Sequence, residues 1–353
     1  MQYRALGLMS GTSLDGLDIV DALFEKTDTR WTYRILHAST YPYTREWQQK
    51  LTFKESWLAT EILELDVEYG LYLAQLCQKF LTDFQINPSS LNIIASHGHT
   101  LFHQPEKGYT YQIGNGPQLH SRLNITTIGN FRTQDVALGG QGAPLVPIGD
   151  QYLFPQYDAC LNLGGFANIS FEKNGSRMAY DICPLNYVLN SEAQKLGLDY
   201  DDQGNIARQN EVDTELLEKL SQISFYSQSP PKSLGAEWVQ SEFLPLVAKA
   251  KLPPEVLLST YTCHMARQIA ETVKVNGLKN ILVTGGGAFN TFLLESISES
   301  SGIQLTIPEA QLINFKEALI FAFMGVLKLR GENNVLSSVT GASGDHCSGI
   351  IYG

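Results

Sequence analysis

The apolar positions along this chain alternate between two spacings. Tyr3–Met9, Ile19–Phe24 and Trp31–His37 are short apolar runs separated by turn residues, and they predict three strands. Beyond them Ile62, Leu65, Tyr69, Leu73, Leu76, Phe80 and Phe84 recur at steps of three and four, which predicts an amphipathic helix over Glu61 to Phe84. A shorter helix is expected near Glu46–Phe53. Asn87-Pro88 ends the long helix, because proline pushes the residue before it out of the helical region. Leu91–Ala95 then reads as a strand, Pro117–Leu123 as a helix and Ile125–Ile128 as a strand. The order is βββαβαβ.

Asn130 to Pro147 is rich in glycine and proline and reads as a crossing between domains. After it the order recurs. Ala159–Leu163, Ile169–Glu172 and Arg177–Ile182 are strands, and helices follow near Tyr187–Lys195 and Pro254–Val275. Lys279–Thr284 is a strand, then comes a helix, the strand Ile303–Ile307 and a helix over Phe315–Leu329. The repeat rests on element order alone. It predicts a two-lobed α/β protein, with one domain over residues 1–132 joined by the C-terminal tail and a second over 133–340. Clefts between lobes are a common place for a small ligand.

Composition narrows the function classes. With 353 residues, 43% hydrophobic and 17% charged, the chain has enough apolar surface for sizeable cores. A net charge of −11 argues against nucleic acid, whose binders present a basic face. The longest apolar run, Ala318 to Leu327, is about half a membrane span. No membrane association is expected, and no basic-plus-apolar leader opens the sequence. Cys77, Cys160, Cys183, Cys263 and Cys347 form no C-x-x-C pair, which speaks for a reducing compartment and against a zinc site. A cytoplasmic location is the expectation.

Three glycine turns carry the candidate chemistry. Leu8 to Asp18 reads Leu-Met-Ser-Gly-Thr-Ser-Leu-Asp-Gly-Leu-Asp, an apolar strand running into a tight polar turn. Gly11 and Gly16 permit unusual backbone angles and close approach, Thr12 and Ser13 add hydroxyls, and successive N–H groups in such a turn attract phosphate. A plain hairpin with an Asp-Gly turn is the competing reading. No Gly-Lys-Ser/Thr follows, so this is not a Walker A loop. Gly164-Gly165-Phe166-Ala167-Asn168 and Gly285-Gly286-Gly287-Ala288-Phe289-Asn290 stand at corresponding strand ends of the second half. Together the three turns point to a nucleoside triphosphate, with two hairpins on its phosphates and the third turn against the nucleoside. The candidate ATP contacts are Gly11, Thr12, Ser13, Asp15, Gly16, Asp18, Gly164, Gly165, Asn168, Gly285, Gly286, Gly287 and Asn290.

Met9 to Gly16 together with Asn162 to Ser170 resembles the anhydro-N-acetylmuramic acid kinases, relatives of sugar kinases, actin and heat-shock ATPases. Gly139 to Pro147, Pro230-Pro231-Lys232-Ser233, Gly285 to Asn290, Lys316-Glu317-Ala318 and Ser338 to Ala342 extend the resemblance over nearly the whole chain. It implies two ribonuclease H-like βββαβαβ domains facing a central cleft, the actin-like ATPase fold. It also implies ATP- and Mg2+-dependent phosphorylation of the 6-oxygen of 1,6-anhydro-N-acetylmuramic acid, with hydrolytic opening of the anhydro ring, in cell-wall recycling. The partners are then the anhydro amino sugar and ATP, with a homodimer as the candidate assembly. No residue is assigned as a magnesium ligand.

The resemblance makes Asp181 the general base on the attacking water. The family's Phe-Asp-Thr-Gly-Pro-Gly-Asn reads Tyr180-Asp181-Ile182-Cys183-Pro184-Leu185-Asn186 here. Asp-Phe-Arg reads Asn130-Phe131-Arg132, and Arg132 retains a fork for the sugar's carboxylate. His-Gly-Gln-Thr reads His97-Gly98-His99-Thr100. His97, Arg132 and Glu317 are the candidate sugar contacts. Two alternatives stay open. One is a non-catalytic ATP- or sugar-binding relative, motivated by the altered Asp181 loop. The other is a metal hydrolase built on His97, His99 and nearby His103, with Asp181 or Asp135 as the carboxylate.

Overall fold

The strands form where their apolar runs can be covered on both faces. In β1, Gln2–Ser10, Leu6 and Leu8 join Tyr69, Leu73 and Phe80 of the helix Ala59–Asp83 in one core cluster. On the other face Gly7 meets the helix Ala310–Leu329, where any Cβ at position 7 would collide with the Ala318 carbonyl. A strand packed on both faces loses the apolar–polar alternation, which is why Leu6, Leu8 and their neighbours read as a continuous apolar run.

The computed structural model describes every residue except Thr12, Thr29, Phe53, Glu55 and Asn115. It divides into two units, Met1–Leu153 with Phe315–Gly353, and Phe154–Asn314. In the first, β2 (Gly16–Lys26) lies antiparallel to β1, and β3 (Trp31–Pro42) antiparallel to β2. β4 (Ile93–Ser96) is parallel to β1. A hairpin of β5 (His99–Gln104) and β6 (Tyr109–Ile113) stands apart from the sheet, and β7 (Thr127–Gly129) is parallel to β4. The sheet order is β7-β4-β1-β2-β3, with the last strand, Ile350–Tyr352, antiparallel on the outer edge of β7.

The second unit repeats that order. β8 (Ala159–Leu163), β9 (Phe166–Lys173) and β10 (Ser176–Pro184) form an antiparallel meander, and β11 (Ile281–Thr284) and β12 (Leu305–Thr306) add in parallel beside β8. The sheet reads β10-β9-β8-β11-β12. Third, second, first, fourth and fifth strands therefore follow each other in both units, as expected for two ribonuclease H-like domains.

Several details differ from the sequence reading. The 133–153 stretch and everything from Phe315 onward pack with the first unit, not the second. Ile320 covers Gly149, while Phe323 packs against Phe24 with ring centroids 5.5 Å apart and against Trp31 at 5.1 Å. This helix returns to the first unit because its apolar face fits the open face of that sheet. The β5–β6 hairpin is not among the predicted elements, and the strand expected over Ile303–Ile307 shrinks to Leu305–Thr306. Among the described residues no helix is long and apolar enough to cross a membrane.

Candidate functional site

In the first unit the turn between β1 and β2 holds Gly11, Ser13 and Asp15; Thr12 lies outside the described residues. The left-handed residue here is Leu14, at φ 59°, while neither Gly11 nor Gly16 has a positive φ. This corrects the expectation that both glycines serve unusual angles. Gly16 already belongs to β2, and a Cβ there would lie 2.5 Å from the Tyr41 carbonyl oxygen, so strand packing explains it. A leucine at positive φ is strained. The segment after β3 braces it: Gln48 Nε2 donates to the Leu14 carbonyl at 3.2 Å and the Tyr43 amide to that of Asp15 at 3.3 Å.

Beneath the turn, buried Ser10 lies 2.9 Å from His99 Nδ1 and accepts from Tyr43 Oη at 2.7 Å, and Tyr69 Oη lies 2.7 Å from Tyr43 Oη. His99 has a backbone hydrogen bond to Leu51, and burial lowers its pKa to about 4. Neutral His99 then donates from Nε2 and accepts the Ser10 hydroxyl proton at Nδ1. Asp18, half-buried in β2, accepts from Thr40 Oγ1 at 2.5 Å. Desolvation is the main cause that raises its carboxyl to about 6; Thr40 opposes this, while Glu317 and Asp15 add to it.

His97 is buried just past the end of β4. Its Nδ1 lies 2.9 Å from the Gly98 carbonyl, which can only accept, so Nδ1 carries the proton. Nε2 is then free to accept Arg132 Nε–H at 2.9 Å. Burial foremost, and the Arg132 charge next, depress the His97 pKa well below its ordinary value. Arg132 Nη1 donates to the Gly142 carbonyl at 2.6 Å, so among the described residues the open end of the guanidinium is Nη2. Asp135 is fully buried, taking Thr340 Oγ1 and the Gly142 amide at 2.6 Å each. It fixes the 139–142 loop.

These bonds remove the metal reading of His97-Gly98-His99. Both ring nitrogens of each histidine are already engaged, leaving no lone pair for a metal. Asp135 likewise has both oxygens committed. Among the described residues no group of three metal-ligating side chains comes together.

Glu317 sits two turns into the returning helix, which begins at Ala310, and it is crowded by protein yet keeps a solvent-facing surface. Desolvation raises its carboxyl, and the charges of Arg132 and Lys316 oppose that. Lys316 itself forms a buried ion pair with Asp150 at 2.7 Å.

In the second unit the β8–β9 turn is Gly164-Gly165, with Leu163 opposite Ala167. Amides at the start of the helix Asn186–Lys195 hold its carbonyl side: Leu185 and Tyr187 donate to Gly165, and Asn186 to Gly164, at 2.9, 3.1 and 3.2 Å. A Cβ at Gly165 would meet nothing within 4 Å. After β11, Gly285 has φ 82°, and Cβ atoms at Gly285 and Gly287 would lie 2.6 Å from Asn162 Oδ1 and 2.7 Å from Leu163 Cβ. Those two glycines let the junction press onto the end of β8. Gly286 is exposed, and a Cβ there would find only Asn186 Nδ2, at 3.6 Å. Asn290 instead caps the helix Thr291–Ser301, accepting from the Leu293 amide at 3.0 Å.

Asn162 pairs with Asn168, and Asn168 with Asp181, in one polar row across β8, β9 and β10. A bulge in β10 falls between Asp181 and Cys183. Asp181 Oδ2 accepts the Leu234 amide at 2.8 Å, and its own amide donates to the Lys232 carbonyl at 3.2 Å. Oδ1 has no protein partner among the described residues. Desolvation raises the Asp181 carboxyl, and the Leu234 amide partly offsets it. The sequence changes beside it point inward: Ile182, Cys183 and Leu185 are all buried in this unit's core.

The two units thus each gather part of the predicted set. Asp18, His97, Arg132 and Glu317 interact in the first, and the Gly164, Gly285 and Asp181 segments converge at the ends of β8 to β10 in the second. Sequence reasoning missed Ser10, Tyr43 and Gln48. Ser10 and Tyr43 carry the signal of polarity in otherwise apolar surroundings, whereas Gln48 is exposed in a polar helix and carries none.

The family described as anhydro-N-acetylmuramic acid kinase matches residues 3–353. The chain belongs to the anhydro-N-acetylmuramic acid kinase family. Anhydro-N-acetylmuramic acid kinase of Legionella pneumophila (strain Corby) is 32% identical, with 98% of this chain and 97% of that protein covered. The enzyme of Hahella chejuensis is 33% identical at the same coverages, and that of Sulfurimonas denitrificans is 30% identical with 98% of each chain covered. The solved activator of 2-hydroxyisocaproyl-CoA dehydratase from Clostridium difficile aligns over 93% of this chain and 97% of its own, at 13% identity and a TM-score of 0.45. As a member of this kinase family, the chain is an ATP-dependent sugar kinase, and ATP binding comes with that class.

The His97 arrangement has a direct spectroscopic consequence. Ring-nitrogen NMR should find His97 neutral at pH 7, protonated on Nδ1, with its titration well below the ordinary histidine value. A midpoint near 6.5, the ordinary histidine value, would contradict the Arg132–His97 bond.

Proposed function

We propose that this kinase transfers the γ-phosphoryl group of ATP to the 6-oxygen of 1,6-anhydro-N-acetylmuramic acid while water opens the anhydro bridge. The product is N-acetylmuramic acid 6-phosphate, returned to use from cell-wall turnover in the cytoplasm, where ATP is available. Beyond family membership, the observation that carries the reading is Asp181: a desolvated carboxylate at the β10 bulge with one oxygen anchored and the other open.

The bridge oxygen has no proton to lose, so a base acting on the sugar would have nothing to do. A nucleophile must instead reach the anomeric carbon. Asp181 Oδ1 takes a proton from water as the water oxygen bonds to that carbon. The carbon–oxygen bridge bond breaks, its electron pair stays on the 6-oxygen, and that oxygen bonds to the γ-phosphorus as ADP leaves. A raised carboxyl pKa makes Asp181 a stronger acceptor for the water proton than an ordinary carboxylate.

Gly11, Ser13, Gly164 and Gly165 face the phosphates through their turns, and exposed Gly286 leaves backbone against which a nucleoside can lie. Arg132 Nη2 meets the sugar's carboxylate, and Glu317 takes a sugar hydroxyl. The chain's residues also fit the divalent cation that accompanies ATP. Asp18 lies in the field of two further carboxylates, a crowding of like charge that a cation relieves. Mg2+ is usually held by one or two carboxylates together with nucleotide phosphates, so no protein cage of three ligands is needed. When bound, it neutralises phosphate charge during transfer. A non-catalytic relative loses its motive, because Cys183 and Leu185 fill the core rather than alter the exposed side of the loop.

Removing a general base typically costs about a hundred- to ten-thousand-fold in rate. Asp181→Asn should therefore bind ATP and sugar nearly as the wild type does yet turn over at least about a hundred times more slowly; normal turnover would strip the residue of this role. Gly286→Val should fold normally and lose ATP affinity by calorimetry. Gly287→Val should instead lose about 1–3 kcal/mol of stability by overpacking. Unchanged ATP affinity in folded Gly286→Val would count against the nucleoside assignment.

A further inference from the structure

The Pro230-Pro231-Lys232-Ser233 stretch is the motif to which none of the chemistry above gives work. Its backbone grips the Asp181 residue at two points. The Asp181 amide donates to the Lys232 carbonyl at 3.2 Å, and the Leu234 amide donates to Asp181 Oδ2 at 2.8 Å. One strap, from Lys232 to Leu234, thus fixes both the backbone and the carboxylate of the proposed base.

The strap is itself tied down through a side chain. Lys232 Nζ donates to the Phe225 carbonyl at 3.1 Å and to the Tyr226 carbonyl at 3.4 Å. The ammonium also stands 4.6 Å from the centroid of the Phe225 ring and 5.9 Å from that of Tyr180, the residue before Asp181. Lys232 is half-buried, and desolvation lowers its pKa. Among the described residues no carboxylate forms an ion pair with it. Lysine is ordinarily left in water or paired with an acid. Here two carbonyls and two ring faces replace water, and all of them lie beside the Asp181 strap.

We propose that Lys232 is a positioning residue for Asp181: its ammonium, clamped by the Phe225 and Tyr226 carbonyls, holds the 232–234 strap that aims the carboxylate at the attacking water. This rests on Asp181 being the base. Lys232 does not touch the reacting atoms. A shift of about 1 Å in a reacting group can cost a hundredfold in rate, so a modest loosening of the strap is enough to be seen.

The test is a double-mutant cycle read by steady-state kinetics. Lys232→Met keeps the length and apolar stem but removes the charge and donors. It should lower kcat at least about tenfold while KM for ATP stays within about twofold. Lys232→Arg, which retains a cation for the rings and donors for the carbonyls, should recover to within about threefold of wild type. In the Asp181→Asn background Lys232→Met should cost nothing further, because the group it aims is gone. Lys232→Gln, measured in the same way, replaces Lys232→Met if that variant does not fold. Wild-type kcat in folded Lys232→Met or Lys232→Gln, with Asp181→Asn slow, overturns this inference and leaves the base intact. An equal loss in the Asp181→Asn background also overturns it, since Lys232 would then act on the fold at large. Full turnover in Asp181→Asn alone removes the base assignment itself.

Discussion

Taking a carboxylate out of water is unfavourable unless hydrogen bonds or opposite charges replace its hydration, and this chain does so at Asp18, Asp181 and Glu317. Each is desolvated, and each is only partly compensated: Asp18 by Thr40, Asp181 by the Leu234 amide, Glu317 by the charges of Arg132 and Lys316. A group held this way takes up protons more readily than a surface carboxylate and interacts strongly with any cation or hydroxyl brought to it. Hydrogen bonds tie up the polar groups beside these carboxylates. His97 and His99 are kept neutral, and Asp135 is saturated with donors, so the polar groups left open are few.

The sheets explain why those groups occur where they do. In each unit the first hairpin and the strand parallel to its first member end side by side. Ser10 ends β1 and His97 follows β4; Leu163 ends β8 and Gly285 follows β11. Open α/β sheets bind ligands at the carboxyl ends of their parallel strands. Two copies of one topology thus deliver two sets of turn residues by the same route. The residues between, such as Phe24, Phe80, Phe171 and Tyr261, are buried core.

Much of this was legible in the sequence because it depends on local pattern. The repeated βββαβαβ order and the glycine turns follow from spacing and residue type, and Asp181 from the family resemblance. Its expected place is a strand end, but β10 runs on to Pro184 and places it at a bulge inside the strand. Long-range fit was not legible. Gly7 and Gly16 are dictated by the Ala318 and Tyr41 carbonyls, which no local rule reveals. The helix after Phe315 reads as the end of the second domain, yet its apolar face belongs on the first sheet. His97-Gly98-His99 has the spacing of a metal site, and only the partners Arg132, Gly98, Ser10 and Leu51 show the ring nitrogens to be occupied. Lys232 reads as an ordinary loop lysine until its carbonyl and ring contacts are seen.

The central claim is that water attacks the anomeric carbon while the bridge oxygen receives the phosphoryl group. Turnover of ATP and the anhydro sugar in heavy-oxygen water, followed by mass spectrometry of the products, tests it most directly. The account predicts one label on the anomeric oxygen of the sugar phosphate and none on its phosphate group. Label in free inorganic phosphate, with the sugar left unlabelled, would mean that water attacks ATP itself and would contradict the account.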